Sequence, residues 1–123
     1  MQIYGKEYGF AFTVGAHAEI AAFCPGGDLS RLDELFADGN QANMSKHTVD
    51  LICALSRARE AQRSFEEPGY TPAPLTPEIV CSLDFATFAA LQDEAMAAMR
   101  IDGKGTVEVE PEKKRPAAAV KEG

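Results

Sequence analysis

The sequence predicts an α+β fold that is mostly helix: an N-terminal β-hairpin, a compact bundle of four to five helices, and a disordered C-terminal tail. Three observations carry this reading. The first residues alternate bulky and small side chains around a glycine, as two short strands and a tight turn do. Up to residue 101 the chain then repeats apolar positions every three or four residues, in segments separated by Gly- and Pro-containing breaks. The remainder, "DGKGTVEVEPEKKRPAAAVKEG", mixes charge with Gly and Pro and has no apolar period. The chain therefore divides into a hairpin-plus-helix domain over 1–101 and a charged tail over 102–123.

The hairpin is read over residues 2–4 and 7–13. Gly5 supplies the positive φ that a two-residue turn needs. Tyr8, Phe10 and Phe12 alternate with Gly9, Ala11 and Thr13, which places three aromatics on one face. An isolated two-stranded hairpin is marginal in water. The aromatic face, Phe10 and Phe12 included, is therefore expected to lie on the helices that follow.

Thr13 is placed to cap a first helix with Ala16, Ile20, Phe23 and Cys24 along one stripe, stopped by "PGG". Asp28 opens a second helix whose apolar set is Leu29, Leu32, Leu35 and Phe36, ended by "DGN". A third helix, from Asn43 or Ser45 to Phe65, carries two apolar seams: Val49, Ile52 and Cys53, and Leu51, Leu55 and Ala58. A helix apolar on both sides is central to its domain. Its C-terminal stretch "REAQRSFEE" reads as polar surface.

"EEPGYTPAPLTP", with four prolines in twelve residues, cannot propagate a helix, and connections of this length tend to be functional or mobile. Thr76, Pro77 and Glu78 then supply a cap, an N1 proline and an acid near the positive helix end. That helix runs to Leu83 and either continues or bends at Asp84 into a last helix ending near Ile101. "TVEVE" in the tail could pair only if a partner strand were present.

The formal net charge of −7 comes from residues 1–101, which hold 14 acidic and 7 basic residues; the five acids and five bases of the tail cancel. An acidic body repels a phosphate backbone, so nucleic acid is not an expected partner, whereas a basic or amphipathic protein segment is. No apolar run is long enough for a bilayer span, and "MQIYGKEYGF" lacks the basic and apolar regions of a signal peptide, so a cytoplasmic location is expected. Cys24, Cys53 and Cys81 are odd in number and widely spaced, which fits reduced thiols better than a disulfide framework. They and the isolated His17 and His47 form no close pair with zinc-ligand spacing, so no metal is expected.

No arrangement in the sequence carries a known catalytic chemistry. GxSxG, a Walker loop, a GxGxxG after a strand and HExxH are all absent. Asp33–Glu34, Glu66–Glu67 and Asp93–Glu94 are sequence neighbours that diverge on a helix and read as solvated surface. A Cys–His nucleophile would require Cys24 or Cys53 to meet His17 or His47 in space. Neither a catalytic residue nor a cofactor is therefore expected.

The last helix carries the candidate binding residues. Phe85, Phe88, Gln92, Met96 and Met99 fall on one side at helical spacing, while Ala86, Ala89, Ala90, Ala95, Ala97 and Ala98 make much of the rest small. The stripe packs on the third helix and the hairpin, or part of it forms a groove for a helical partner, since Met-rich surfaces adapt to varied ligands. The two readings can share residues, with Phe85 and Phe88 inward and Met96 and Met99 near the open end.

"GKEYGFAFTVGAHAEI" resembles the opening hairpin and first helix of phage tail assembly chaperones, which are small, acidic, mostly helical proteins of siphophages and prophages. The likeness extends loosely through "GGDLSRLDELF", the long third helix, "LTPEIV" and the charged tail, over residues 3–101. Tyr4 departs from the pattern, where a turn-former such as Asn is expected before Gly5. The resemblance implies a non-enzymatic protein of the host cytoplasm, absent from the mature virion, that coats the helical tape measure protein before the tail tube polymerises. It also implies a longer product, made by ribosomal frameshifting, whose extension recruits major tail tube subunits. Gly103–Lys104 and Lys113–Lys114 are the places where slippery codons could lie. The alternative is a structural virion component such as a head–tail connector or tail-terminator subunit. A small regulatory adaptor is a third possibility.

Overall fold

The computed structural model describes residues 1–37 and 39–103, with backbone alone for 101–103. The chain is mostly helical and begins with a two-stranded antiparallel hairpin, β1 (Gln2–Ile3) paired with β2 (Lys6–Glu7). Tyr4 and Gly5 form its turn with φ of 51° and 82°. Two successive positive φ values define the mirror-image turn that matches strand twist. Tyr4 thus occupies a left-handed position that Asn or Gly takes more readily.

The second strand is shorter than the alternation suggests. It ends at Glu7 rather than residue 13, and the last ladder bonds join Met1 and Tyr8. Residues 8–13 instead run along a helix surface, where the Ala11 N–H donates to the Leu55 carbonyl at 3.2 Å. With the two-residue period lost, Tyr8 and Ala11 are buried while Phe10 and Phe12 are only half-buried. The three-aromatic face is therefore corrected to a mixed one.

Thr13 caps α1 (Val14–Ala22) through its side-chain oxygen, which accepts from the Ala16 N–H at 3.1 Å. The α1 stripe is as the sequence predicts: Ala16, Ile20 and Cys24 are buried and Phe23 is half-buried against them. A short 3-10 turn over Pro25–Gly27 follows.

The segment Leu29–Phe36 is a 3-10 helix, where the sequence predicts an ordinary one. With three residues per turn, Leu29, Leu32 and Leu35 stack along one side, and all three are half-buried on the core. Asp28 holds the entrance by accepting from the Ser30 N–H at 3.0 Å, and Arg31 clasps Glu34 with two bonds of 2.8 Å.

The central element is α2 (Gln41–Glu66), which starts two residues before the earliest expected position because Asn40 caps it through the Asn43 N–H. Both predicted seams are buried, together with Thr48, Ala54 and Ser56 between them. α1 and the 3-10 segment pack against α2, as do α3 (Pro77–Cys81) and α4 (Phe85–Gly103). α3 is shorter than expected, and Ser82 ends it. α4 runs two residues past the expected end at Ile101. The tail from residue 104 onward, "TVEVE" and Lys113–Lys114 included, lies outside the described residues.

Candidate functional site

Asp84 separates α3 from α4. Its carboxylate accepts from the Thr87 N–H at 2.8 Å, and its carbonyl accepts from the Phe88 N–H at 2.9 Å. The Thr87 N–H bond is also the main reason the Asp84 carboxyl is held below the usual aspartate range. The helix is thus interrupted after Cys81 and starts again at Phe85, with Asp84 as its cap.

Leu91 and Ala95 form the inward line of α4, both fully buried. Phe88 and Met99 flank that line, and these two and Met96 are half-buried on the core. Gln92 is half-buried, and Phe85 is 86% exposed. The spacing alone places Phe85 inward with Phe88; the inward line through Leu91 and Ala95, six and ten residues on, instead leaves it at the outer side of the first turn. Ala95, which reads as one of the small residues off the stripe, is core, and Leu91 lies outside the predicted stripe altogether.

Helical geometry divides the remaining surface of α4 into two edges. Thr87 and Glu94 lie on one, and the hairpin covers it. Glu94 is 3.5 Å from the amino group of Met1, and Thr87 lines a groove of about 230 Å³ with Gln2, Ile3, Tyr4, Ser82 and Leu83. The Tyr4 hydroxyl and Ser82 Oγ, 2.7 Å apart, fasten the turn to the α3–α4 corner. Phe85, Gln92 and Met96, spaced i, i+7 and i+11, lie along the other edge. Sequence spacing therefore assembles the five candidate residues into one strip, but that strip runs from half-buried Phe88 and Met99 to fully outward Phe85.

Two other large apolar side chains are outward on the helices, Val14 on α1 and Phe65 on α2. Between these helices lies a shallow groove of about 220 Å³ floored by Ala16, Ala54, Ala58 and Ala61 and crossed by the Arg57–Glu19 ion pair.

One buried polar cluster is not legible in the sequence. Glu60 is 2% exposed, although "REAQRSFEE" reads as surface. Its Oε1 accepts from the Tyr70 hydroxyl and, at 2.8 Å, from the Ala73 N–H, with Lys6 Nζ at 3.7 Å. Arg63 approaches Oε2 at 3.8 Å while lying 4.1 Å over the Tyr70 ring. Burial is the largest single influence on this carboxyl and pushes it up. The bonds from Tyr70 and Ala73, with the charges of Lys6 and Arg63, together outweigh burial and hold it below the usual glutamate range. Lys6 also donates to the Ala73 carbonyl at 2.7 Å, and the Leu75 N–H donates to Ser56 Oγ at 2.9 Å. The proline-rich connection is thus fastened to α2 and to the hairpin. A pair of polar positions on α2 one turn apart, Ser56 and Glu60, is the only sequence signal that marks it.

The two buried thiols, Cys24 and Cys53, are shifted away from reactivity. Burial, then Asp50, pushes Cys53 up to about 11, and burial followed by Asp28 pushes Cys24 up. An activated thiol is shifted the other way. His17 and His47 instead lie against aromatic rings, those of Phe12 and Phe36. Among the described residues no three His, Cys, Asp or Glu side chains gather as metal ligands, and no helix is long and apolar enough to cross a membrane. No family model, no curated protein and no solved structure matches the chain.

Proposed function

We propose that this protein is a non-enzymatic tail assembly chaperone that holds a helical segment of a tape measure protein through the strip Phe85, Phe88, Gln92, Met96 and Met99. The observation that carries the reading is the exposure of Phe85 at the head of a strip whose other members are only half-buried. What sets Phe85 apart from the equally exposed Val14 and Phe65 is that it continues into half-buried Gln92 and Met96 along one edge of α4, an apolar strip rather than a single outward side chain. The resemblance of "GKEYGFAFTVGAHAEI" to the chaperone opening, and the absence of any catalytic pattern in the sequence, point the same way.

On this reading the hairpin closes one edge of α4 and leaves the other to the ligand. The protein acts in the host cytoplasm, is absent from the finished particle, and shares its N-terminus with a longer frameshifted product that recruits major tail tube subunits. Co-expression with the product of the adjacent long helical reading frame, followed by affinity capture, tests the reading. Co-purification at defined stoichiometry supports it. Recovery of this protein in purified virions, with no tape measure complex in the cell, would replace it with the structural-component alternative.

A further inference from the structure

Phe85 stands in a part of the chain with a one-sided charge. From residue 64 to residue 99 there are six acids, Glu66, Glu67, Glu78, Asp84, Asp93 and Glu94, and no Lys or Arg. This stretch comprises the end of α2, the proline-rich connection, α3 and nearly all of α4. The nearest bases, Arg63 and Arg100, bracket it. Arg63 is engaged by Glu60 and Glu67, and Lys6, the base that reaches over from the hairpin, by Glu60 and the Ala73 carbonyl. Among the described residues, Glu78 on α3 and Asp93 on α4 meet no basic partner, whereas Glu94 meets the Met1 amino group and Asp84 accepts from the Thr87 N–H.

Resting on the chaperone reading, we infer that the open edge of α4 takes a basic amphipathic helix: an apolar ridge seats on Phe85 and Met96, and lysines or arginines flanking that ridge meet Asp93, with Glu78 on α3 adding to the negative field. Charge complementarity sets both the sign of the partner and its rate of capture, while the apolar ridge supplies the contact that holds it. Exposed Ala86 and Ala89 next to Phe85 leave room for a helix backbone to come close. An acidic or purely polar helix is repelled or finds no ridge contact.

Three labelled peptides test this by fluorescence anisotropy on the full chain: an amphipathic Leu/Lys helix, its Leu/Glu counterpart, and an oligolysine without an apolar face. The Leu/Lys helix is expected to bind alone of the three and to weaken with added salt. Phe85→Ser and the double variant Glu78→Lys with Asp93→Lys are each expected to weaken it by about tenfold or more. Phe65→Ser, at the other exposed aromatic, is expected to leave it unchanged. Equal binding of the Leu/Lys and Leu/Glu peptides, binding of oligolysine as tight as that of Leu/Lys, no binding of Leu/Lys, or loss with Phe65→Ser in place of Phe85→Ser would overturn the inference. Tape measure capture that survives Phe85→Ser and the charge reversals defeats this surface and leaves the chaperone reading standing. Leu/Lys binding at α4 without tape measure capture does the reverse.

Discussion

The Tyr70 hydroxyl donates to the Glu60 carboxylate ten residues earlier in the chain, and this bond closes the proline-rich connection onto α2. The same carboxylate accepts the Ala73 N–H and faces Lys6 from the hairpin, so one buried acid joins three parts of the fold. The connection, which its length and prolines mark as mobile, is held at two places, the other being Ser56 with the Leu75 N–H.

Glu60→Gln retains an acceptor for Tyr70 and Ala73 but removes the charge, and it is expected to cost about 1–3 kcal/mol at neutral pH. Lys6 and Arg63 are partly exposed, so their direct share of that is small. The folded-state carboxyl is held below its ordinary value of 4.5, so its contribution is present above that value and is lost as pH falls through the lower folded one. Urea melts of wild type and variant should therefore differ by a constant amount near neutrality and converge in acid. A gap that grows with acidification would mean that the ionised Glu60 carboxylate is not what stabilises the fold.

Ser56→Ala strands the buried Leu75 N–H without a partner and is expected to destabilise the protein by about 1–3 kcal/mol. Hydrogen exchange provides an independent reading. The amides of Ala73 and Leu75 should exchange slowly in wild type, and Leu75 should lose its protection in the variant. Fast exchange at both in wild type would show that the connection is not fastened.

On α4 the inward and outward positions should separate cleanly. Leu91→Ala removes a fully buried side chain and is expected to cost about 2–5 kcal/mol, while Phe85→Ala is expected to stay within about 0.5 kcal/mol of wild type. Thermal melts of the two variants check this. A large loss for Phe85→Ala would mean that it is core after all.

At the turn, Gly5 has φ of 82° and open space where a Cβ would stand. Gly5→Ala therefore carries only the backbone cost of a left-handed alanine, about 1–2 kcal/mol, with no clash to relieve. A chemical-denaturation shift within that range is expected, and no shift would indicate that the hairpin is not formed in solution.

The helical part of this fold is legible in the sequence because it depends on local periodicity. The α1 stripe Ala16, Ile20 and Cys24 and both α2 seams are buried as their spacing requires. The 3-10 character of Leu29–Phe36 is not, since leucines at three-residue intervals fit both helix types. The alternation of Tyr8, Phe10 and Phe12 overextends the hairpin, because strand residues alternate in the same way, while the Ala11 N–H finds its acceptor on α2. Which carbonyl satisfies that group is a tertiary fact. Glu60 is hidden for the same reason: its burial depends on a connection that returns ten to fifteen residues later. Spacing sets the five candidate residues along one strip but turns Phe85 inward, because the inward line of α4 runs through Leu91 and Ala95, which that strip leaves out.

The central claim is that the edge of α4 along Phe85, Gln92 and Met96 holds a tape measure helix, and isothermal titration of a purified tape measure segment into wild type and Phe85→Ser tests it most directly. Saturable binding by wild type is predicted, with a loss of about tenfold or more in affinity for the variant at an unchanged melting temperature. Absence of binding by wild type, or equal affinity for both proteins, would contradict it.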